Sequence, residues 1–230
     1  QQTVNVLRVD PSVDVLEPRS HSGCQTITSV RSGQNAIAGI NGSFFSGGCS
    51  SLGMVRYQGT TFDTNTMHNH NGGNSYQMRT IGWNTFGTPI YSWLDQFQDW
   101  TAPEHAIGGY PSLVENGTLT NEVYPGQTVW STTDWTANPR TAIGSTSTGE
   151  FLLVTLDGRT SLGSGVTSND MADLMLSLGA NDAIGLDGGG YTSMTIEDCW
   201  HNDVVNHPSD NHSTGHNTPR SVSDGVYIWD

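Results

Sequence analysis

The chain has 230 residues, with 22 acidic side chains against eight basic ones, all arginine, and a formal net charge of −14. So negative a balance without lysine excludes broad contact with a nucleic-acid backbone, which draws most of its free energy from cations neutralising phosphates. No apolar run nears the roughly 20 residues needed to cross a bilayer, and 34% hydrophobic residues with 28 glycines describe a globular, turn-rich chain, read as one domain over residues 1–230.

Val4 to Val9 reads as a first strand. The start at Gln1-Gln2 has neither Met nor the charged start and apolar centre of a leader, and together with the polar loops it is read as a mature, secreted chain. Cys24, Cys49 and Cys199 allow one disulfide with one thiol left over; Cys24 with Cys49 would close a modest loop, and the alternative is three buried thiols. Ala36 to Ile40 is a second short strand that runs straight into Asn41-Gly42-Ser43-Phe44-Phe45, so Asn41 is delivered to a strand end. Residues 63–75 hold almost nothing that could enter a core and are expected to form an exposed loop.

Between Trp83 and Trp135 the one clear signal is a hairpin, Tyr110 to Leu119, turning at Asn116-Gly117. Arg140 to Gly144 and Phe151 to Leu156 follow as strands, the second short, wholly apolar and ended by Asp157-Gly158. Met171, Leu174, Met175 and Leu178 repeat on one helical face, which predicts a helix over 168–178, capped by Thr167 or Ser168, favoured by Asp170 at its positive end and stopped by Gly179. Asp182 to Leu186 is then an apolar strand ending in Asp187-Gly188-Gly189-Gly190, a βαβ-like succession, and Val226 to Trp229 closes the chain. These elements predict an α/β (α+β) domain with a mixed central sheet, few helices and long loops. The 168–178 helix packs on the sheet, and the Asn41, Arg140 and Asp187 strand ends meet in one cleft.

Three glycines in a row after a buried strand cost conformational entropy unless the backbone needs unusual dihedrals or a ligand must come close to it. With Asp187 in front of them, Gly188, Gly189 and Gly190 can present backbone N–H groups to an anion while the carboxylate points into the same space. The plain alternative is a tight turn capped by Asp187.

Taken together, AIAGINGSFF (36–45), IGGYPSLVENG (107–117), PRTAIG (139–144), LLVTLDGR (152–159), GLDGGGYTSM (185–194) and HPSD…PRSVSDGVYI (207–228) resemble the phosphodiester glycosidase family, in that family's order. The resemblance implies a hydrolase that acts on sugar phosphodiesters, with Asn41, Arg140, Asp157, Asp187 to Gly190 and Arg220 falling on the family's motifs. It departs from the family at Tyr191, where a small hydroxyl residue is usual; Ser193 can keep the hydroxyl two residues later.

The chemistry is consistent with those residue types. Cleavage of a glycosyl–phosphate bond releases a phosphate monoester whose second pKa is about 6, so the leaving group needs little protonation. Arginine donors can then take the place of a strong general acid while carboxylates stabilise the oxocarbenium-like centre or activate water. Arg140 with Arg220 is assigned to phosphate, and Asp187 with Asp157 to the anomeric carbon. Asn41 and Ser193 join Gly188 to Gly190 as substrate-binding residues. For Arg140 the alternative is an ion pair orienting Asp187, and for Asn41 a polar residue that holds the strand end. Asn41, Asn116 and Asn211 each head an Asn-x-Ser/Thr triplet; Asn116 and Asn211 are the more credible glycosylation sites.

No cofactor is required by this scheme. His68, His70, His201, His207, His212 and His216 follow no established zinc spacing, whereas the many aspartates and loop carbonyls offer oxygens of the kind a structural calcium takes. Expected partners are a carbohydrate phosphodiester, with no nucleic acid and no membrane. Two other functions remain open: a non-catalytic carbohydrate-binding domain, given seven tryptophans able to stack on sugars, and a hydrolase attacking at phosphorus, a reaction that usually relies on paired metal ions.

Overall fold

The computed structural model describes residues 2–66, 77–124, 127–128, 136–161, 163–210 and 219–230. Most of the expected 63–75 loop, His68, His70, His212, His216 and the triplet at Asn211 lie outside the described residues. The elements run β1 (Val4–Val9), β2 (Val15–Gln25), α1 (Ile27–Gly33), β3 (Ala38–Asn41), β4 (Val55–Tyr57), β5 (Thr60–Asp63), β6 (Met78–Trp83), β7 (Pro89–Leu94) and β8 (His105–Gly109). They continue with β9 (Ser112–Glu115), β10 (Thr118–Tyr124), β11 (Gln127–Thr128), β12 (Arg140–Thr146), β13 (Phe151–Leu156), α2 (Ser168–Ser177), β14 (Ala180–Leu186), β15 (Met194–Ile196) and β16 (Val222–Trp229).

The strands form a seven-stranded sheet, β1-β13-β12-β14-β9-β10-β11, a four-stranded sheet, β15-β3-β16-β2, and a five-stranded sheet, β5-β4-β8-β6-β7. The fold is α+β, mostly sheet with few helices. The strand–helix–strand passage β13-α2-β14 does bring two strands of the same direction into one sheet. Because β12 lies between them, antiparallel to both, those neighbours pair antiparallel.

Side-chain alternation divides the large sheet into two buried faces. Ile143, Phe151, Leu153, Ile184 and Leu186 face a central core completed by Ile40, Val226 and Ile228 of the four-stranded sheet and Ile81, Trp83 and Ile107 of the five-stranded one. The other face, with Leu113, Ala142, Leu152 and Val154, receives Met171, Ala172 and Met175 of α2. A strand covered on both sides has no polar face, which is why Phe151 to Leu156 reads as one apolar run.

Local chemistry sets the element ends. Thr167 caps α2 in a capping box with Asp170, and Gly179 stands at φ +94 just beyond it. Asn116 (φ 49) and Gly117 (φ 70) make the tight β9–β10 turn, where both residues need positive φ. Cys24 and Cys49 form the disulfide and Cys199 is a half-buried thiol. β2 and α1 escaped sequence reading because both carry polar residues inward: His21 Nδ1 donates to the Val222 carbonyl at 2.8 Å while its Nε2 hydrogen-bonds the Tyr227 hydroxyl, and Arg31 is buried against Asp203 at 2.6 Å. No described helix is long and apolar enough to cross a membrane.

Candidate active site

The ends of β3, β12, β13 and β14 and the start of β16 converge on one side of the fold, and Asn41 is the joint between them. Its side chain is fully buried. Nδ2 donates to the Asp187 carbonyl at 2.7 Å, while Oδ1 accepts from Thr141 Oγ1 at 2.8 Å and from the Ser193 N–H at 3.0 Å. These bonds tie the ends of β3, β12 and β14 together through Asn41. Ser193 is also buried, its hydroxyl donating to the Tyr191 carbonyl at 3.0 Å.

Gly42 continues the joint. Its carbonyl accepts from Asp187 N–H at 3.0 Å and its N–H donates to the Asp224 carbonyl at 3.1 Å. A Cβ on Gly42 would collide with Asp224 Oδ1, so glycine here lets two carboxyl groups approach the same strand end. Asp224, fully buried in β16, accepts from Ser43 N–H at 2.7 Å and from Ser223 Oγ at 2.6 Å.

Burial pushes the Asp187 carboxyl up to about 7, with the Gly188 N–H opposing, the charge of Asp224 adding and Arg220 opposing. Burial likewise pushes Asp224 up to about 6 against its hydrogen bonds from Ser223 and Ser43. Two interacting carboxyls titrating near neutrality are the arrangement that acid–base and charge-stabilising chemistry uses. Asp224 was missed in the sequence because the closing strand reads as starting at Val226, whereas β16 begins at Val222 and carries Asp224 into the core.

The glycine turn is held tightly. Gly188 N–H donates to Asp187 Oδ1 at 2.8 Å and Gly189 N–H to the Pro139 carbonyl at 2.9 Å, so two of the three glycine N–H groups expected to face an anion are engaged within the protein. Gly189 has φ +63. A Cβ on Gly190 would collide with the carboxylate of Asp210, which pairs with Arg220. Arg220 in turn lies 4.7 Å over the Tyr191 ring, and Tyr191 packs edge-on to Phe45 at 5.0 Å. The aromatic residue at 191 thus seats the arginine.

Arg140 begins β12 beside this turn, but its side chain leaves on the α2 side, where Nε donates to the Val166 carbonyl and Nη2 to the Thr136 carbonyl, both at 3.1 Å. Alternation accounts for this: Thr141 points to Asn41, so its neighbour points the other way. Arg159, which the sequence reading passed over, packs its guanidinium against Gly189 instead.

Asp157 directly follows β13 and is buried, which raises its carboxyl above the usual range despite hydrogen bonds from His207 and Asn206. Oδ1 accepts from His207 N–H at 3.0 Å and Oδ2 stands 3.3 Å from His207 Nδ1. Asn206 binds Met194 N–H and the Thr192 carbonyl, so residues 206–210 form a strap from β13 across the glycine turn. Asp157→Ala is expected to strand the His207 N–H, lowering stability by about 2 kcal/mol and the melting temperature by several degrees, with turnover changed less than about tenfold. A hundredfold loss of turnover at unchanged melting temperature would put Asp157 on the reaction coordinate.

No group of three or more His, Cys, Asp or Glu side chains able to hold a metal occurs among the described residues.

The fold is shared with solved structures of low sequence identity. The zebrafish N-acetylglucosamine-1-phosphodiester alpha-N-acetylglucosaminidase catalytic domain, auto-inhibited by its pro-peptide, is 16% identical with a TM-score of 0.76, covering all of this chain and 83% of that one. A putative exported protein of Burkholderia pseudomallei is 17% identical with a TM-score of 0.66, covering all of this chain and 74% of that one. In sequence, the SPbeta prophage-derived uncharacterized protein YomE of Bacillus subtilis is 42% identical over 67 residues, 29% of this chain and 10% of that protein's length. The family model described as Phosphodiester glycosidase matches residues 34–229, and the chain therefore belongs to the phosphodiester glycosidase family.

Proposed function

We propose that this chain is an extracellular hydrolase that cleaves the glycosyl–phosphate bond of sugar phosphodiesters, with N-acetylglucosamine-1-phosphodiester-like or cell-surface glycan phosphodiesters as substrates. The observation that carries the reading is the meeting of Asp187 and Asp224 at Gly42 beside the glycine turn, both carboxyls raised toward neutrality by burial and Asp187 within electrostatic reach of Arg220. Asp187 as carboxylate faces the anomeric carbon, stabilising the positive charge that develops there or drawing a proton from the attacking water. Asp224 sets the charge state of Asp187 through its own, and Arg220 offsets negative charge on the departing phosphate. Asn41, Ser193 and Gly188 to Gly190 hold the strand ends and the turn in place, Arg140 anchors the start of β12, and Asp157 anchors the strap. The half-buried rings of Phe44, Phe45, Tyr110 and Tyr191 offer surfaces on which a sugar can stack. The disulfide supports an extracellular setting, as does the exported character ascribed to the Burkholderia relative.

Hydrolysis in oxygen-18 water is the direct test. The label is expected on the sugar's anomeric carbon, with unlabelled phosphate. Label in phosphate means attack at phosphorus, and with it Asp187 loses the oxocarbenium role. A folded protein that binds sugar phosphodiesters and cleaves none is a carbohydrate-binding domain.

A further inference from the structure

We propose that Arg159 is the principal phosphate donor of this site, gripping the anionic oxygens of the phosphoryl group over Gly189; the proposal rests on the phosphodiester reading above.

Position comes first. A Cβ built on Gly189 would lie 3.4 Å from Nη1, 3.4 Å from Nη2 and 3.6 Å from Cζ of Arg159, so the Nη end of the guanidinium lies against the turn that carries Asp187. Those distances are ordinary van der Waals contact, so the guanidinium packs directly on the turn. Gly189 is required by its own φ of +63, whereas Gly190 makes room for Asp210.

The guanidinium is also held. Nε and Nη2 both donate to Asn138 Oδ1, at 3.0 and 2.7 Å, and Asn138 is itself buried, its N–H bound to the Val166 carbonyl at 3.1 Å. Arg159 sits at φ 54, a left-handed conformation uncommon outside glycine and one that persists where the surroundings require it. A fork fixed in advance by an asparagine loses little freedom on taking up an anion.

Charge separates Arg159 from the other arginines near the site. Arg220 is already paired with Asp210, and Arg140 donates to two carbonyls on the α2 side. Arg159 is exposed and has no carboxylate within 4.0 Å among the described residues, in a chain of net charge −14. A phosphodiester brings two non-bridging oxygens and one negative charge, and cleavage of its glycosyl bond adds a second charge. A donor at Arg159 therefore binds more strongly as the bond breaks, which favours the transition state over the ground state.

The test compares wild type, Arg159→Gln, Arg159→Lys and Arg8→Gln; Arg8 is a distant cation paired with Glu150. Binding of inorganic phosphate is measured by calorimetry on the full chain, with melting temperatures as the folding control. Kinetics follow on a glycosyl phosphodiester. Wild type and Arg8→Gln are expected to bind phosphate alike, Arg159→Gln at least tenfold more weakly, and Arg159→Lys in between, since charge is kept and the fork is lost. In kinetics, Arg159→Gln should lower kcat more than it raises KM. Phosphate binding unchanged in a folded Arg159→Gln, or no phosphate binding by wild type, overturns the assignment even if hydrolysis proceeds. If phosphate binding collapses with Arg159 while wild type cleaves no glycosyl phosphodiester, the anion site stands and the glycosidase reading fails.

Discussion

Asp187→Asn is expected to lower turnover on a glycosyl phosphodiester at least about a hundredfold while leaving the protein folded, because it removes charge and keeps shape at a group acting on the reacting centre. The carboxyl is pushed up to about 7, chiefly by burial, and the active form is the deprotonated one. In wild type, kcat/KM should therefore climb as pH rises through about 7 and fall about tenfold per unit well below it, and the residual activity of Asp187→Asn should lack that limb. Stability moves the opposite way. A carboxyl whose folded value lies above its ordinary 3.8 binds its proton more tightly in the native state. Its stabilising contribution is complete below about 4 and is lost as pH rises through about 7. At pH 8 the asparagine variant should thus melt a few degrees higher than wild type, and at pH 4 the two should coincide. A destabilised, inactive variant would indicate a structural aspartate; a stabilised, inactive one marks a charge kept for chemistry. Near-normal turnover in a folded variant removes Asp187 from the mechanism.

The second large effect falls on stability. Asn41→Ala deletes a fully buried side chain that accepts two hydrogen bonds and donates one, leaving the Ser193 N–H and the Asp187 carbonyl without those partners. At about 1–3 kcal/mol for each buried group left unsatisfied, the loss should reach roughly 3–5 kcal/mol, or on the order of 10 °C in melting temperature for a chain of this size. Activity should fall with it, because the Asp187 turn hangs on that hydrogen bond. An unchanged melting temperature with a raised KM would instead place Asn41 in contact with substrate.

These expectations separate what neighbouring residues decide from what distant ones decide. β1, β13, α2 with its Thr167–Asp170 box, and the Asn116-Gly117 turn are all readable in the sequence, because the interactions that make them act over a few residues: alternation, helical spacing, caps and positive-φ turns. β2 and α1 were not readable, since the polar groups that they bury are satisfied by Val222, Tyr227 and Asp203, far along the chain.

The sequence by itself determined the family, through six motifs in order, and it determined that a carboxylate followed by three glycines ends a buried strand. It could not determine which charged groups meet there. Asp224 joins Asp187 only because β16 pairs with β3, with Gly225 opposite Asn41, and because Gly42 leaves space between them. Arg140 is turned toward α2 because β12 enters the sheet in a register that fixes which face each side chain takes, and Arg159 packs on Gly189 because Asn138 holds its guanidinium there. A side chain's direction at a strand end depends on pairing partners tens of residues away, and only the tertiary structure supplies those.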